Sequence, residues 1–339
     1  MIPWKNKGTS ISKEDLNSLR DHKGVRENTF EMQRKVSSFN FTRKVFWDKL
    51  WDSTTIKARG LFIDDNDNIV ARGYEKFFNL GERQETSKRY LEDNLKFPLN
   101  VYNKENGFFG VVGIVENDFF ISSKSNPESD FSGWFRDIFN EQVSKSDQEF
   151  LLNIIKTQEI CLTFEVIDPI NDPHIIKYQK PEIILLDILH RGLNFEFIPY
   201  SNVRDIAKLI NVRHKHLHGV ISDKNAFRHF LDHPWEKDKD GNPIEGFVVE
   251  DQNGFMFKIK LDFYSFWKQM RSVKDRVLKI RGTNQPLKRE YAMKHELAKE
   301  FHSWCQNQDD HILAMNIIDV RNLFISDGGG KEHPELIGE

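Results

Sequence analysis

Four groups of residues in this chain are of types and spacings that could do chemistry. The first is Lys104-Glu105-Asn106-Gly107, which follows the strand-like segment 98–103 and precedes a Gly-punctuated strand. A lysine is a nucleophile only as the free amine, and its ordinary pKa near ~10.4 keeps it protonated. Desolvation or neighbouring cations can release that proton. Taken alone, a Lys-x-Asn-Gly tetrapeptide is more often a turn than a site. The second group, Lys258 and Lys260, places two ammonium groups on one face of a predicted strand. Such a pair is either a solvated face or a phosphate clamp. The third group is the carboxylates Glu165 and Glu245, set among apolar strand residues. They read either as structural ion pairs or as groups that hold a metal or a ribose. The fourth is Arg59, Arg72 and Lys76, which a hairpin would draw together, for phosphate binding or merely as surface charge. Together the four groups match what nucleotidyl transfer to a lysine requires. Fixed charge, with help from a metal, must stabilise a pentacovalent phosphate.

The elements that would position these residues are mixed. A helix is expected from about Ser12. Hairpins are expected at 61–63/69–71, 107–115/119–121 and 247–250/255–260, each split by a polar turn. Residues 129–156 carry apolar positions at helical spacing. Strands are expected at 160–167, 175–178 and 183–189, and a helix at 203–210. From about residue 265 to 325 the texture is helical and highly charged, and 326–339, with Gly328-Gly329-Gly330, reads as a flexible tail. The fold class is therefore α+β, with largely antiparallel sheets and flanking helices in residues 1–264 and a small all-α domain in 265–325.

Net charge is −3, so any polyanion surface must be local rather than global. Two cysteines, Cys161 and Cys305, cannot build a disulfide framework or a four-thiolate zinc site. Reduced thiols, the absence of an apolar signal run near Met1, and no apolar stretch long enough to span a bilayer predict a cytoplasmic chain without a membrane partner.

In order along the chain, these motifs resemble the phage-type RNA ligase 1 family and the adenylyltransferase domain of fungal tRNA ligases. The likeness runs over about 39–267. It is carried by Ala58-Arg59-Gly60-Leu61-Phe62, Ala71-Arg72-Gly73-Tyr74-Glu75-Lys76-Phe77-Phe78-Asn79, Lys104-Glu105-Asn106-Gly107, Phe120-Ile121-Ser122-Ser123-Lys124-Ser125, Phe164-Glu165-Val166, Glu245-Gly246-Phe247-Val248 and Phe257-Lys258-Ile259-Lys260. The nucleotidyl-lysine motif is in its Asn variant rather than the commoner Asp one. The resemblance implies the covalent nucleotidyltransferase fold and an ATP-dependent RNA ligase that joins 5′-phosphate and 3′-hydroxyl ends through a lysine–AMP intermediate and an RNA-adenylate, with Mg2+ or Mn2+, in RNA or tRNA repair or splicing. Lys104 would be the nucleophile. Asn106 and Gly107 would belong to the nucleotide site, and Lys258 and Lys260 would hold the α-phosphate. Arg59, Arg72, Lys76 and Lys124 would face the outer phosphates, and Glu165 and Glu245 would serve ribose or metal. Asp262 and Tyr264 continue the last motif, with no role assigned.

In the helical segment Lys268, Arg271, Lys274, Arg276, Lys279, Arg281, Lys288 and Arg289 form either an RNA-holding surface or a solvated face. The lack of strand texture there argues against an appended β-barrel. His214, His216 and His218, with His229 and His233, read as a surface cluster rather than a zinc site. No Gly-x-x-x-x-Gly-Lys-Ser/Thr segment occurs, so end-healing enzymes would be other proteins. The competing readings are a capping-type guanylyltransferase, a DNA ligase, and a non-catalytic RNA-binding relative.

Overall fold

The computed structural model describes residues 8–283 and 295–338. Lys288 and Arg289 lie outside the described residues. In chain order the elements are α1 (Lys13–Asp21), β1 (Val25–Glu31), β2 (Lys35–Phe41), α2 (Arg43–Asp48), α3 (Ser53–Lys57), β3 (Arg59–Asp64), β4 (Ile69–Arg72), β5 (Phe78–Asn79), α4 (Lys88–Asn94), β6 (Leu99–Lys104), β7 (Phe108–Val115), β8 (Asp118–Ser123), α5 (Asp130–Gln142) and α6 (Lys145–Thr157). Then follow β9 (Ile160–Ile167), β10 (Glu182–His190), α7 (Tyr200–Leu209), β11 (Arg213–His214), β12 (Leu217–Ile221), α8 (Lys224–Asp232), β13 (Gly246–Glu250), β14 (Met256–Lys260), α9 (Asp262–Ile280), α10 (Glu296–Gln306), α11 (Asp310–Ala314), α12 (Ile317–Ser326) and α13 (Pro334–Ile337). No helix among the described residues is long and apolar enough to cross a membrane.

The chain divides into two compact units. The first takes residues 1–77, 107–168 and 181–215. Its two sheets run β1-β2-β3-β4 and β11-β10-β9-β7-β8. The three expected hairpins form as β3/β4 and β7/β8 here and β13/β14 in the second unit. Helices α5 and α6 cover the five-stranded sheet with Phe135, Phe139, Leu151 and Ile155, all fully buried beside Leu162 and Phe164. The expected single helix over 129–156 is broken at Val143. Ser144 there caps α6 by accepting from the Asp147 amide, so the chain restarts a helix rather than continuing one.

The second unit takes residues 78–106, 169–180 and 216–339, with a sheet ordered β12-β6-β13-β14-β5. One core lies under this sheet, around Val101, Phe227, Phe247 and Phe257. Another gathers α9–α13 around Trp267, Met270, Phe301 and Phe324. That helical core also takes in Ile175 and Ile176, whose segment was expected as a strand. Their amide N–H groups donate to the Asn106 side-chain oxygen at 3.1 Å instead of to a neighbouring strand. The boundary expected at 264/265 falls inside α9. The tail expected at 326–339 is turn and helix through Gly338, because Leu336 is buried and its carbonyl accepts from Trp267 Nε1 at 2.6 Å.

Candidate active site

In the second unit, Lys104 ends β6, where register pairing sets it opposite Gly246 on β13, which is in turn opposite Lys260 on β14. Directly paired residues share a face, and strands lie ~4.8 Å apart, so the two lysine backbones are roughly 10 Å apart. Gly246 between them has no side chain, and its φ of 152° suits only glycine. A Cβ there would come within 2.0 Å of the Ile259 carbonyl oxygen. Glu245, 3% exposed, bridges the gap. Its Oε2 lies 3.0 Å from Lys104 Nζ and its Oε1 lies 3.2 Å from Lys260 Nζ. Burial pushes this carboxyl up, but Lys104 and Lys260 outweigh it and hold the pKa below the ordinary 4.5.

Asn106 is the hub behind this triad. Its Nδ2 donates to Glu245 Oε2 at 2.9 Å, while its Oδ1 accepts from the two isoleucine amides. Tyr178 completes the clasp, accepting from the Asn106 amide at 2.9 Å and donating to Glu105 at 3.0 Å. Asn106, expected at the nucleotide, is thus a buried strut that fixes the residues following Lys104. Lys258 shares with Lys260 the partly exposed face of β14, while Phe257 and Ile259 point into the core, as strand alternation predicts.

Helix α9 adds two residues to this place. Tyr264, in its first turn, is buried, and its hydroxyl is pushed up to about 12 by desolvation and by Glu245. Lys260 Nζ stands 4.9 Å and Lys268 Nζ 5.7 Å from the centre of its ring, both within cation–π range. The sequence assigns no role to Tyr264, and reads Lys268 as part of either an RNA-holding surface or a solvated helical face. The spacing of four from Tyr264 was the available signal, since i and i+4 share a helix face.

In the first unit, Arg59 Nη1 donates to the Tyr74 carbonyl at 3.1 Å, and the guanidinium lies 5.3 Å over Phe109. Desolvation lowers its pKa, against the opposing pull of Tyr74 and Glu165. Lys124 is lowered too, by desolvation and then by the charge of Arg59. Arg59, Lys124 and Glu165 are therefore electrostatic neighbours. Glu165 Oε1 accepts from the Gly107 amide at 2.9 Å. The Val166 backbone packs closely on Gly107, since a Cβ there would sit 2.1 Å from the Val166 carbonyl oxygen. Lys76 Nζ donates to the Phe77 carbonyl at 3.0 Å and stands 5.1 Å over the Trp51 ring.

Arg72 does not join the phosphate group expected for it. It is 2% exposed, and its Nη1 donates to the Gly192 and Leu193 carbonyls at 2.7 and 3.0 Å. A guanidinium so enclosed anchors the 191–193 turn to β4. The nearby buried pair Lys215–Asp187, at 2.8 Å with the Tyr74 hydroxyl on the same carboxylate, is likewise internal.

The histidines fall to ordinary tasks. His214 meets the Tyr200 hydroxyl at 3.2 Å, and His218 hydrogen-bonds Asn103 at 2.8 Å and stacks on Trp235. Among the described residues no group of three or more His, Cys, Asp or Glu is placed to hold a metal ion. Glu245 is a poor ligand as it stands, because two ammonium groups already occupy its oxygens.

Largely antiparallel sheets flanked by helices, with two lysines and a carboxylate meeting on one of them, are the covalent nucleotidyltransferase fold. The fold agrees with solved structures. A putative ATP-dependent DNA ligase from Aquifex aeolicus superposes with a TM-score of 0.54 at 14% identity, covering 96% of this chain and 75% of that one. An archaeal ATP-dependent RNA ligase gives 0.54 at 13% identity, over 94% and 80% of the two chains. A tRNA ligase of Candida albicans is 24% identical over 90% of this chain and 42% of its own length, so the chain spans under half of that relative. The family model for RNA ligase of the phage T4 type 1 class matches residues 57–264, and the chain belongs to that RNA ligase family.

Proposed function

We propose that the chain is an ATP-dependent RNA ligase whose nucleophile is Lys104. The observation that carries this reading is the triad Lys104–Glu245–Lys260, inside the segment that matches the family. The amine of Lys104, having given up one ammonium proton, attacks the α-phosphorus of ATP. An N–P bond forms, the P–O bond to pyrophosphate breaks, pyrophosphate leaves, and the bonded nitrogen gives up a second proton to solvent. Lys258 and Lys260 hold the α-phosphate oxygens. Lys260 can do so by exchanging the Glu245 carboxylate for phosphate, since both present anionic oxygens that accept from an ammonium group. Arg59, Lys76 and Lys124 are assigned to the outer phosphates, and Arg72 is left out for the reason given above. Glu165 is the better of the two carboxylates for a divalent ion, Mg2+ or Mn2+, which when bound supplies positive charge to the phosphates. The substrate is RNA with 5′-phosphate and 3′-hydroxyl ends. The tRNA ligase relative favours cleaved tRNA, with end-healing supplied by other proteins and the reaction run in the cytoplasm. Of the basic residues in the helical part, Lys274 is buried on the Leu313 and Met315 carbonyls and Arg281 is engaged by Asp310, so neither is assigned to RNA.

The test is incubation with labelled ATP and Mg2+ or Mn2+. A covalent protein–AMP adduct is expected, absent in Lys104→Ala and after chelation with EDTA, while labelled GTP gives none. Sealing of 5′-phosphate RNA but not of a DNA nick separates the reading from a DNA ligase. RNA binding without any adduct from the wild type would sink it in favour of a non-catalytic relative.

A further inference from the structure

Helix α9 carries several cations that the roles above leave unassigned, and two of them lie on one stripe with Tyr264. Tyr264, Lys268 and Arg271 recur at i, i+4 and i+7, so they form one stripe, while Trp267, Met270, Val273 and Val277 bury the adjoining face in the helical core. Tyr264 is the joint between helix and sheet, because Lys260 and Lys268 lean on its one ring, at 4.9 and 5.7 Å. Glu245, whose charge also reaches Lys268, is already engaged by Lys104 and Lys260. Among the described residues neither Lys268 nor Arg271 has a carboxylate within ion-pairing distance. Asp275, the next residue of the stripe, is held by Lys274 at 2.9 Å. Lys268 is solvent-exposed, so a ligand can reach it. Its pKa is lowered by desolvation and then by Lys260, with Glu245 pulling the other way, as expected where cations are gathered closely.

We propose that Lys268, with Arg271 one turn beyond, binds the 5′-phosphate of the RNA strand, beside the adenylate phosphate held at Lys260. This rests on the ligase reading and names a subsite within it. Two phosphates joined through one oxygen need two adjacent cation sites, and Lys260 and Lys268, both against one ring, supply them. The outer phosphates of ATP already have Arg59, Lys76 and Lys124 assigned to them, which leaves the α9 stripe for nucleic acid. In the step served, an oxygen of the RNA 5′-phosphate forms a bond to the adenylate phosphorus. The P–N bond to Lys104 breaks, and Lys104 departs as an amine after taking up one proton.

The test uses the full chain carrying Lys268→Ala, Lys268→Arg or Arg271→Ala, with three readouts. These are adduct formation from labelled ATP, transfer of AMP to 5′-phosphate RNA, and sealing of RNA already carrying a 5′-adenylate. Losing one charge-assisted phosphate contact predicts a fall of about 10- to 100-fold in transfer and in sealing for Lys268→Ala, a smaller fall for Arg271→Ala, and recovery of most of it in Lys268→Arg. Adduct formation should stay within about threefold, since the first step takes no RNA phosphate. Equal losses in all three readouts would assign Lys268 to ATP phosphates and overturn the proposal, as would unchanged transfer and sealing. A wild type that forms no adduct is a different failure, that of the ligase reading itself. Thermal melting of each variant separates lost contact from lost fold.

Discussion

Replacing Glu245 by Gln keeps the shape of the site and removes the charge that holds two lysines. In the native protein Glu245 meets Lys104 at 3.0 Å, Lys260 at 3.2 Å and Asn106 Nδ2 at 2.9 Å. A glutamine can accept from one lysine but turns its own N–H2 toward the other. Each charge-assisted hydrogen bond contributes ~1.5–3 kcal/mol, and breaking a fully buried ion pair costs ~3–5 kcal/mol. The lysine side chains remain 22% and 27% exposed, so water relieves part of the loss. The expected destabilisation is about 3 kcal/mol at neutral pH, read from urea unfolding midpoints. Pairing Glu245→Gln with Lys260→Met in a double-mutant cycle should return a coupling of about 1–2 kcal/mol. The pH dependence has a definite sign. Glu245 is held below 4.5, so its contribution is fully present above that pH and is lost as pH falls through the folded-state value. The gap between wild type and Glu245→Gln should therefore close progressively in acid. Equal stability at neutral pH, or a gap that persists unchanged in acid, would refute the triad as an energetic unit.

Two further substitutions test the frame of the site. Gly246→Ala forces a Cβ against the Ile259 carbonyl at a φ of 152° and should cost about 3 kcal/mol or more, seen as a lower melting temperature; wild-type stability would contradict the close approach. Arg72→Met removes the bonds to Gly192 and Leu193 and should destabilise by about 2–4 kcal/mol. In the folded fraction the ATP concentration for half-maximal adduct should shift less than about threefold, and a large shift would return Arg72 to the nucleotide.

Much of this protein is written locally. The hairpins β3/β4, β7/β8 and β13/β14 were legible because apolar runs flank polar turns, and the pairing of Lys258 with Lys260 on one face followed from strand alternation. What was not legible has a common cause, namely partners far apart in sequence. The strands β1 and β2 lie in a stretch whose charge obscures alternation. Residues 175–178 look like a strand by composition, yet the amides of Ile175 and Ile176 are claimed by Asn106, some seventy residues earlier. Gly-rich residues 328–330 look loose, yet Leu336 beyond them locks onto Trp267.

The candidate site divides the same way. Sequence alone determined which lysines and carboxylates are present, their order, and the family they belong to, because a covalent chemistry demands fixed residue types along the chain. Only the tertiary structure decided which of them meet. Register placed glycine between Lys104 and Lys260 so that Glu245 could span them, burial diverted Arg72 to backbone carbonyls, and the pitch of α9 brought Tyr264 and Lys268 to the same place. Residue type sets what a side chain can do. Its partner, and so its charge and its task, is set by whatever the fold packs against it.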